Sequence, residues 1–222
     1  MQRILVKKQN MTEFWEESFK DKQSMWGFSP ADAVFDAIKL FQKHGLHKIL
    51  IPGFGYGRNA KAFMDKGFYV TGIEISLTAI AIAKKTYGSE VNVHHGSVSE
   101  MPFDNEVFDG IFCYALIHLL DEKERAKLIV DCYNQLRENG IMIFVAISTD
   151  DHAFGKGAMI DKNRFLTPHG VELFFYNLDA VKDEFGDFGL QDSEKIMEPS
   201  KSIKGKPGQI FWKIVCKKIA NS

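Results

Sequence analysis

At 222 residues the chain is one to two times the length of a typical domain of about 150 residues, and it reads as one large compact unit. Apolar residues make up 45% and charged residues 26%, which sets aside the disordered, collagenous and coiled-coil classes. With 28 basic and 29 acidic residues the net charge is −1, so no overall field draws the chain to nucleic acid or to an anionic membrane.

Three cysteines, Cys113, Cys132 and Cys216, form no C-x-x-C pair, which argues against a disulfide framework and a cysteine-rich zinc site and fits a reducing cytosol. In the opening MQRILVKKQN the apolar run stops at Val6, too short for a signal-peptide core. No run approaches the roughly 20 apolar residues of a membrane span, so a cytoplasmic protein without a membrane partner is expected. The 19 phenylalanines are scattered without an internal repeat, as core packing and a pocket lining require.

The first 45 residues read as two helices, the second opening with Ser29 as N-cap, Pro30 at the first helical position and Asp32 as a capping-box acid, and closing at Gly45. Lys48–Ile51 is a short apolar strand leading into the turn GFGYGRN; Ala60–Lys66 is a helix ended by Gly67, and Phe68–Ile75 is the next strand. Ser76 caps a helix that Gly88 ends, and Val91–His95 starts a third strand. Phe108–Leu116 is a nearly continuous apolar run, followed by a helix from Asp121 with Ile129, Cys132, Tyr133 and Leu136 on one side and its end at Asn139 and Gly140. Gly140–Ser148 is the fifth strand. The alternation gives a doubly wound α/β domain with a parallel sheet and right-handed crossovers. A polar, glycine-containing stretch of about twenty residues then suggests a functional lid or a small inserted hairpin. A helix around Leu178–Phe185 precedes two strands, GLQDSEKIM and QIFWKIVCK, joined by a basic turn with Lys201, Lys204 and Lys206. Their short separation predicts an antiparallel hairpin, and the lysines read as a solvated tip.

The functional signal begins at ILIPGFGYGRN, a strand running straight into Gly53, Gly55 and Gly57 and then a helix. Glycines there let a ligand approach the backbone closely, and the helix N-terminus offers unpaired N–H groups. Glu74 lies 21 residues beyond Gly53 at a strand end, where a carboxylate can accept from ribose hydroxyls. These features fit two cofactors. Gly55, Gly57 and Ala60 also satisfy the G-x-G-x-x-A fingerprint of a nicotinamide dinucleotide fold, so an NAD(P)-dependent oxidoreductase is the alternative enzyme. His94 and His95 alternate faces along a strand without a carboxylate partner at metal-ligand spacing, so no metal is expected. No G-x-S-x-G or P-loop signature is present either.

The stretch GSVSEMPFDNEVFDGIFCYALIHLLD resembles the class I S-adenosylmethionine-dependent methyltransferases. It carries Ser97 after strand three, Met101-Pro102-Phe103, the acidic turn Asp104 to Glu106, Phe108-Asp109, the apolar strand Ile111 to Tyr114, and Leu116 to Leu119 with a Leu-x-His-Leu pattern. The resemblance covers residues 48–150 closely. One departure is Ile51, followed by Pro52, where the family commonly places an Asp two residues before the first glycine. The Pro-Gly-x-Gly turn resembles the thiol/halide branch, GIEIS the thiopurine methyltransferases, AISTDD the tellurite-resistance methyltransferases, and residues 14–30 the N-terminal helix and tryptophan of these heteroatom enzymes.

The resemblance implies a seven-stranded, mostly parallel Rossmann-like sheet with an antiparallel C-terminal hairpin. It implies a helical lid over residues 1–45, part of the same domain, and a donor-binding domain over residues 46–222. It places S-adenosylmethionine against Gly53, Phe54, Gly55, Gly57, Arg58, Glu74, Ile75, Ser97, Val98 and Tyr114. Methyl transfer is an in-line displacement that needs positioning and a water-poor pocket. His118, Asp150, Asp151 and His152 are the candidate catalytic groups. Trp15, Trp26 and Phe28 are candidates for an aromatic lid on the acceptor. The expected acceptor is a small molecule, with a sulfur or other heteroatom nucleophile. A non-catalytic donor-binding module is the third reading, and nothing in the chain fixes an oligomeric state.

Overall fold

A computed structural model of the chain describes residues 11–89, 91–102, 106–168, 170–201 and 208–219. The elements run α1 (Met11–Lys22), α2 (Asp32–Lys43), β1 (Lys48–Pro52), α3 (Arg58–Met64), β2 (Tyr69–Glu74), α4 (Leu77–Tyr87), β3 (Asn92–His95), β4 (Phe108–Tyr114), α5 (Glu122–Gln135) and β5 (Leu136–Ile147). There follow three short strands, β6 (Ala158–Asp161), β7 (Arg164–Leu166) and β8 (Glu172–Phe174), then α6 (Leu178–Phe185), β9 (Leu190–Glu198) and β10 (Gln209–Lys217).

Seven strands form one sheet in the order β3-β2-β1-β4-β5-β10-β9. The first five are mutually parallel; β10 runs antiparallel to β5 and to β9. This is the expected doubly wound α/β architecture with its C-terminal hairpin. The strand order reverses between β1 and β4, and the crevice beyond their carboxyl ends is where this fold class receives ligands.

Period-two side-chain alternation builds two cores. Ile49, Ile51, Phe112, Ile141, Ile143 and Val145 pack on one face with Val34, Ala37 and Phe41 of α2 and Ala60 and Phe63 of α3. Leu50, Ile111, Cys113, Met142 and Phe144 pack on the other with Leu128, Ile129 and Cys132 of α5 and Val181 and Phe185 of α6. All three cysteines are buried in this second core, which accounts for them as packing residues.

Local signals set most boundaries. The Ser76 hydroxyl accepts the Ala79 N–H and caps α4, and Asp121 and Glu124 form a reciprocal capping box at α5. Two boundaries differ from the sequence reading. Helix α2 opens at Asp32, not at Pro30, because its first N–H groups are taken by a distant carboxylate: Glu198 accepts from Asp32 N–H at 3.0 Å and from Ala33 N–H at 2.6 Å. Helix α5 ends at Gln135, because Leu136 already pairs with Phe108; Asn139, at φ +61°, and Gly140 lie in the ladder irregularity before Ile141 pairs with Gly110.

The long segment after β5 is more structured than a loop. Strands β6, β7 and β8 form a separate antiparallel sheet, backed by the edge-to-face rings of Phe154, Phe165 and Phe175. Arg164 of β7 donates to the Leu120 carbonyl at 3.1 Å, which ties this sheet to the turn beyond β4. Lys204 and Lys206 of the expected basic tip, and Phe103 and Asp104 of the acidic turn, lie outside the described residues.

Candidate active site

The glycine turn begins where β1 ends. Gly53, Gly55 and Gly57 all have positive φ, at +68°, +58° and +83°, a conformation that L side chains rarely adopt. The turn is stitched to the neighbouring strand: Gly53 and Phe54 N–H both donate to the Ile73 carbonyl at 3.0 Å, and Gly55 N–H donates to Glu74 Oε2 at 2.7 Å. Gly57 N–H closes on the Phe54 carbonyl at 3.1 Å. The N–H groups of Gly53, Phe54, Gly55 and Gly57 are therefore spent on β2 and on the turn itself. The unpaired N–H groups expected from sequence belong to the N-terminus of α3, which opens directly after Gly57.

Glu74 ends β2 with its carboxylate 6% exposed. Its other oxygen accepts from Ser76 N–H at 2.9 Å. Burial pushes this carboxyl above the usual range, while the N–H bonds from Ser76 and Gly55 oppose that shift. Each carboxylate oxygen keeps acceptor capacity beyond the bond it makes, so ribose hydroxyls can still be received there.

The other expected donor residues divide by orientation. Tyr114, at the carboxyl end of β4, has its ring between Phe112 at 6.1 Å and Phe211 at 6.2 Å, with the Arg58 guanidinium 5.8 Å from its centroid. Arg58 is fixed by donating to the Ser29 carbonyl at 3.0 Å. Ile75 is partly exposed, and its carbonyl accepts from His95 Nε2 at 3.1 Å. The Ser97 hydroxyl accepts from Ser99 N–H at 3.2 Å and so caps the short 3-10 turn that follows. Val98 is buried in the second core, and only its backbone can face a ligand. Phe54 points away from the crevice: its ring is 5% exposed and fills the space above Gly72, where an added Cβ would lie 2.0 Å from Phe54 Cδ2.

The catalytic candidates fare less well. Asp151 is 3% exposed and already bonded at both oxygens, Oδ1 by Ala153 N–H and Oδ2 by Ile210 N–H, each at 2.8 Å. It pins the turn after β5 to β10. Asp150 is exposed and ion-paired with Lys195, and His152 is exposed with its Nδ1 at 3.5 Å from Asp151. Their bonding partners lie on β9, β10 and their own turn, not on the glycine turn or Tyr114.

His118 sits in the 3-10 turn just beyond β4, 6% exposed. The Ile147 N–H donates to its Nδ1 at 3.2 Å, and burial pushes its pKa down to about 3. The imidazole is therefore neutral with its proton on Nε2, a hydrogen-bond donor and not a base.

The sequence reading missed two residues here. Tyr56, between two of the turn glycines, is 2% exposed; its hydroxyl donates to the Gly27 carbonyl at 2.7 Å and accepts from Trp26 N–H at 3.1 Å. Trp26 stacks on it at 6.3 Å, and Phe19 and Phe28 meet it edge-on. Trp15 joins through Phe19 and Trp26, at 6.1 Å from each, so the expected aromatic residues do gather, around Tyr56. Trp26 and Phe28 remain half exposed at its edge. The second missed residue is Glu16 of α1, whose carboxylate accepts from the Ser76 hydroxyl at 2.7 Å, the Thr78 hydroxyl at 2.6 Å and Thr78 N–H at 3.2 Å. The Thr78 and Ser76 hydroxyls hold its pKa down to about 2. A groove of about 540 Å³ elsewhere, lined by Lys39, Lys43, Ile143 and Lys217 among others, contains none of these residues.

Residues 50–144 match the family described as Methyltransferase domain. A protein of Geobacillus sp. (strain WCH70), provisionally named a methyltransferase, is 32% identical over 179 residues, 70% of this chain and 72% of its own length. The chain belongs to the class I S-adenosylmethionine-dependent methyltransferases.

Thiocyanate methyltransferase 1 of Arabidopsis thaliana is 27% identical over 165 residues, 71% of this methyltransferase and 73% of that protein. Among solved structures, the Burkholderia thailandensis 1,6-didemethyltoxoflavin N1-methyltransferase superposes with a TM-score of 0.71 at 18% identity, covering 95% of this chain and 88% of that one. That likeness shows the fold. As a methyltransferase the chain uses S-adenosylmethionine, and the nicotinamide reading of the glycine turn falls away. Glycines that present their backbone beside a buried carboxylate fit this donor.

Proposed function

We propose that this methyltransferase transfers the methyl group to a small-molecule acceptor with a sulfur or other heteroatom nucleophile, in the cytosol. Bound S-adenosylmethionine supplies an electrophilic methyl on a sulfonium. In this reading Glu74 accepts the ribose hydroxyls, Gly53 to Gly57 give the donor a close backbone surface, Ile75 and the Val98 backbone border the adenine with Ser97, and Tyr114 and Arg58 close the far end. Trp15, Trp26 and Phe28 exclude water, and His118 donates from Nε2 to an acceptor or product.

The observation that carries the acceptor reading is the absence of a poised base among the described residues singled out as catalytic. His118 is neutral with its Nδ1 engaged, Asp151 is buried with each oxygen holding a backbone N–H, and Asp150 and His152 face solvent. A soft anionic nucleophile requires no deprotonation in the transition state, so positioning and water exclusion suffice. The aromatic rim of Trp26 and Phe28 suits such a polarizable acceptor. The named activity of the thiocyanate methyltransferase relative points the same way.

The test is methyl transfer from labelled S-adenosylmethionine to a panel of thiocyanate, hydrosulfide, iodide, aryl thiols, tellurite, phenols, amines and tRNA. Turnover on the sulfur or other soft nucleophiles is the expected result. Transfer to tRNA alone would overturn the small-molecule reading, and donor binding with no transfer to any acceptor would favour a binding module.

A further inference from the structure

We propose that Glu16 is a positioning residue for the donor site, a latch through which the N-terminal helix α1 holds the ribose acid and governs release of the donor product. The inference rests on the donor reading of Glu74. It is carried by an unbroken chain of hydrogen bonds across three elements. Glu16 accepts from the Ser76 hydroxyl; Ser76 N–H donates to Glu74 Oε1; and Gly55 N–H donates to Glu74 Oε2. Thr78 binds Glu16 twice more, through its hydroxyl and its N–H.

The position is chemically apt. Glu16 brings a negative charge to the N-terminus of the eleven-residue helix α4, where the helix dipole favours it, and Ser76 is fully buried beneath it. Its bonds join an ionised carboxylate to hydroxyl and amide donors, the stronger class of hydrogen bond. The same helix is held a second time beside the glycine turn, where Trp15 and Phe19 pack with Trp26 around Tyr56. Helix α1 thus bridges Ser76, next to Glu74, and Tyr56, next to Gly55.

The bridge is built to open. Among the described side chains of α1 only Phe19 is buried, and the core it joins is small, with Tyr56 and Ala79 as its other buried members. An element held by a small apolar cluster and a handful of part-buried hydrogen bonds opens at lower free energy than the core does. The Glu16 bonds therefore decide how long α1 stays down. Release of bound S-adenosylhomocysteine requires that they break.

The experiment measures hydrogen exchange of residues 11–22 without ligand, and stopped-flow dissociation of S-adenosylhomocysteine followed by the fluorescence of Trp15 and Trp26. It compares the wild type with Glu16→Ala, Glu16→Gln, Thr78→Val, the Glu16→Ala/Thr78→Val double variant, and Glu13→Ala as a control on the exposed side of the same helix. Faster exchange of α1 and a product off-rate raised about tenfold or more in Glu16→Ala are expected from the loss of charge-assisted bonds. Glu16→Gln should fall between, and the double variant should add little to Glu16→Ala. Unchanged exchange and off-rate in a folded Glu16→Ala variant would overturn the latch while leaving the donor reading intact. A wild-type protein that binds no S-adenosylhomocysteine, yet shows the exchange change, would overturn the donor reading and the link to release with it.

Discussion

Phe54 and Gly72 form a lock between the glycine turn and strand β2: the Phe54 ring occupies the place a side chain at Gly72 would need, with Cδ2 2.0 Å from an ideal Cβ. Phe54 N–H is bonded to the Ile73 carbonyl one residue further on, so ring and backbone hold the turn against the same strand. Gly72→Ala should therefore displace the turn, with a loss of about 1–3 kcal/mol of stability from overpacking. Thermal denaturation reads the loss, and calorimetry with S-adenosylhomocysteine should show weaker binding because Gly55 moves with Phe54. Wild-type stability and affinity would show that the ring has room to move aside.

Tyr56 ties the aromatic lid to the glycine turn through two hydroxyl bonds that phenylalanine cannot make. Tyr56→Phe keeps the stacking and should cost about 1–2 kcal/mol. The loss should register as a change in Trp26 fluorescence and earlier proteolysis between α1 and α2. An unchanged cleavage pattern would place the strength of the lid in stacking alone.

His118 makes stability depend on pH in a predictable direction. Its folded pKa of about 3 lies below the unfolded value of 6.5, so below about pH 6.5 the unfolded chain takes a proton that the folded chain refuses. Its contribution is fully present above that pH and is lost as pH falls towards 3, at up to about 1.4 kcal/mol per pH unit. His118→Gln retains an acceptor for Ile147 N–H and removes the titration. Urea midpoints measured at about pH 7 and about pH 5 should therefore converge in the variant. An undiminished difference would mean that other groups carry it.

Arg125, 4% exposed, pairs with Glu184, lies 3.9 Å from the Phe174 ring centre and donates to the Leu120 carbonyl, while the Tyr176 hydroxyl donates to Glu184 at 2.6 Å. Arg125→Ala leaves Glu184 and Tyr176 without their cation and should cost about 3–5 kcal/mol by chemical denaturation. Arg125→Met with Glu184→Leu should cost much less, because no charge is then stranded. Equal losses in the two would argue against a desolvated pair.

The fold was legible because its signals are local. Apolar runs such as Ile49 to Ile51 and Ile141 to Val145, glycines after strands, and caps at Ser76 and Asp121 each lie within a few residues of the structure they determine. The proposed donor site is local in the same way, since Gly53 to Gly57 and Glu74 are set by one strand-turn-helix-strand unit. What escaped the reading depends on distant partners. Glu16 meets residues 60 and 62 positions away, Tyr56 reaches back 29, and Glu198 caps a helix 165 positions earlier. That last bond is why the local Ser29-Pro30 capping signal lost. The carboxylate of Asp151 looked free in sequence because its partner Ile210 lies 59 residues on.

The most direct test of the account is calorimetry of the wild type and of Glu74→Ala against S-adenosylhomocysteine and NADH. The account predicts that the wild type binds S-adenosylhomocysteine and not NADH, and that Glu74→Ala, still folded, loses about 1.5–3 kcal/mol of that affinity with its charged acceptor. Unchanged affinity in the folded variant, or a wild type that binds NADH alone, would contradict it.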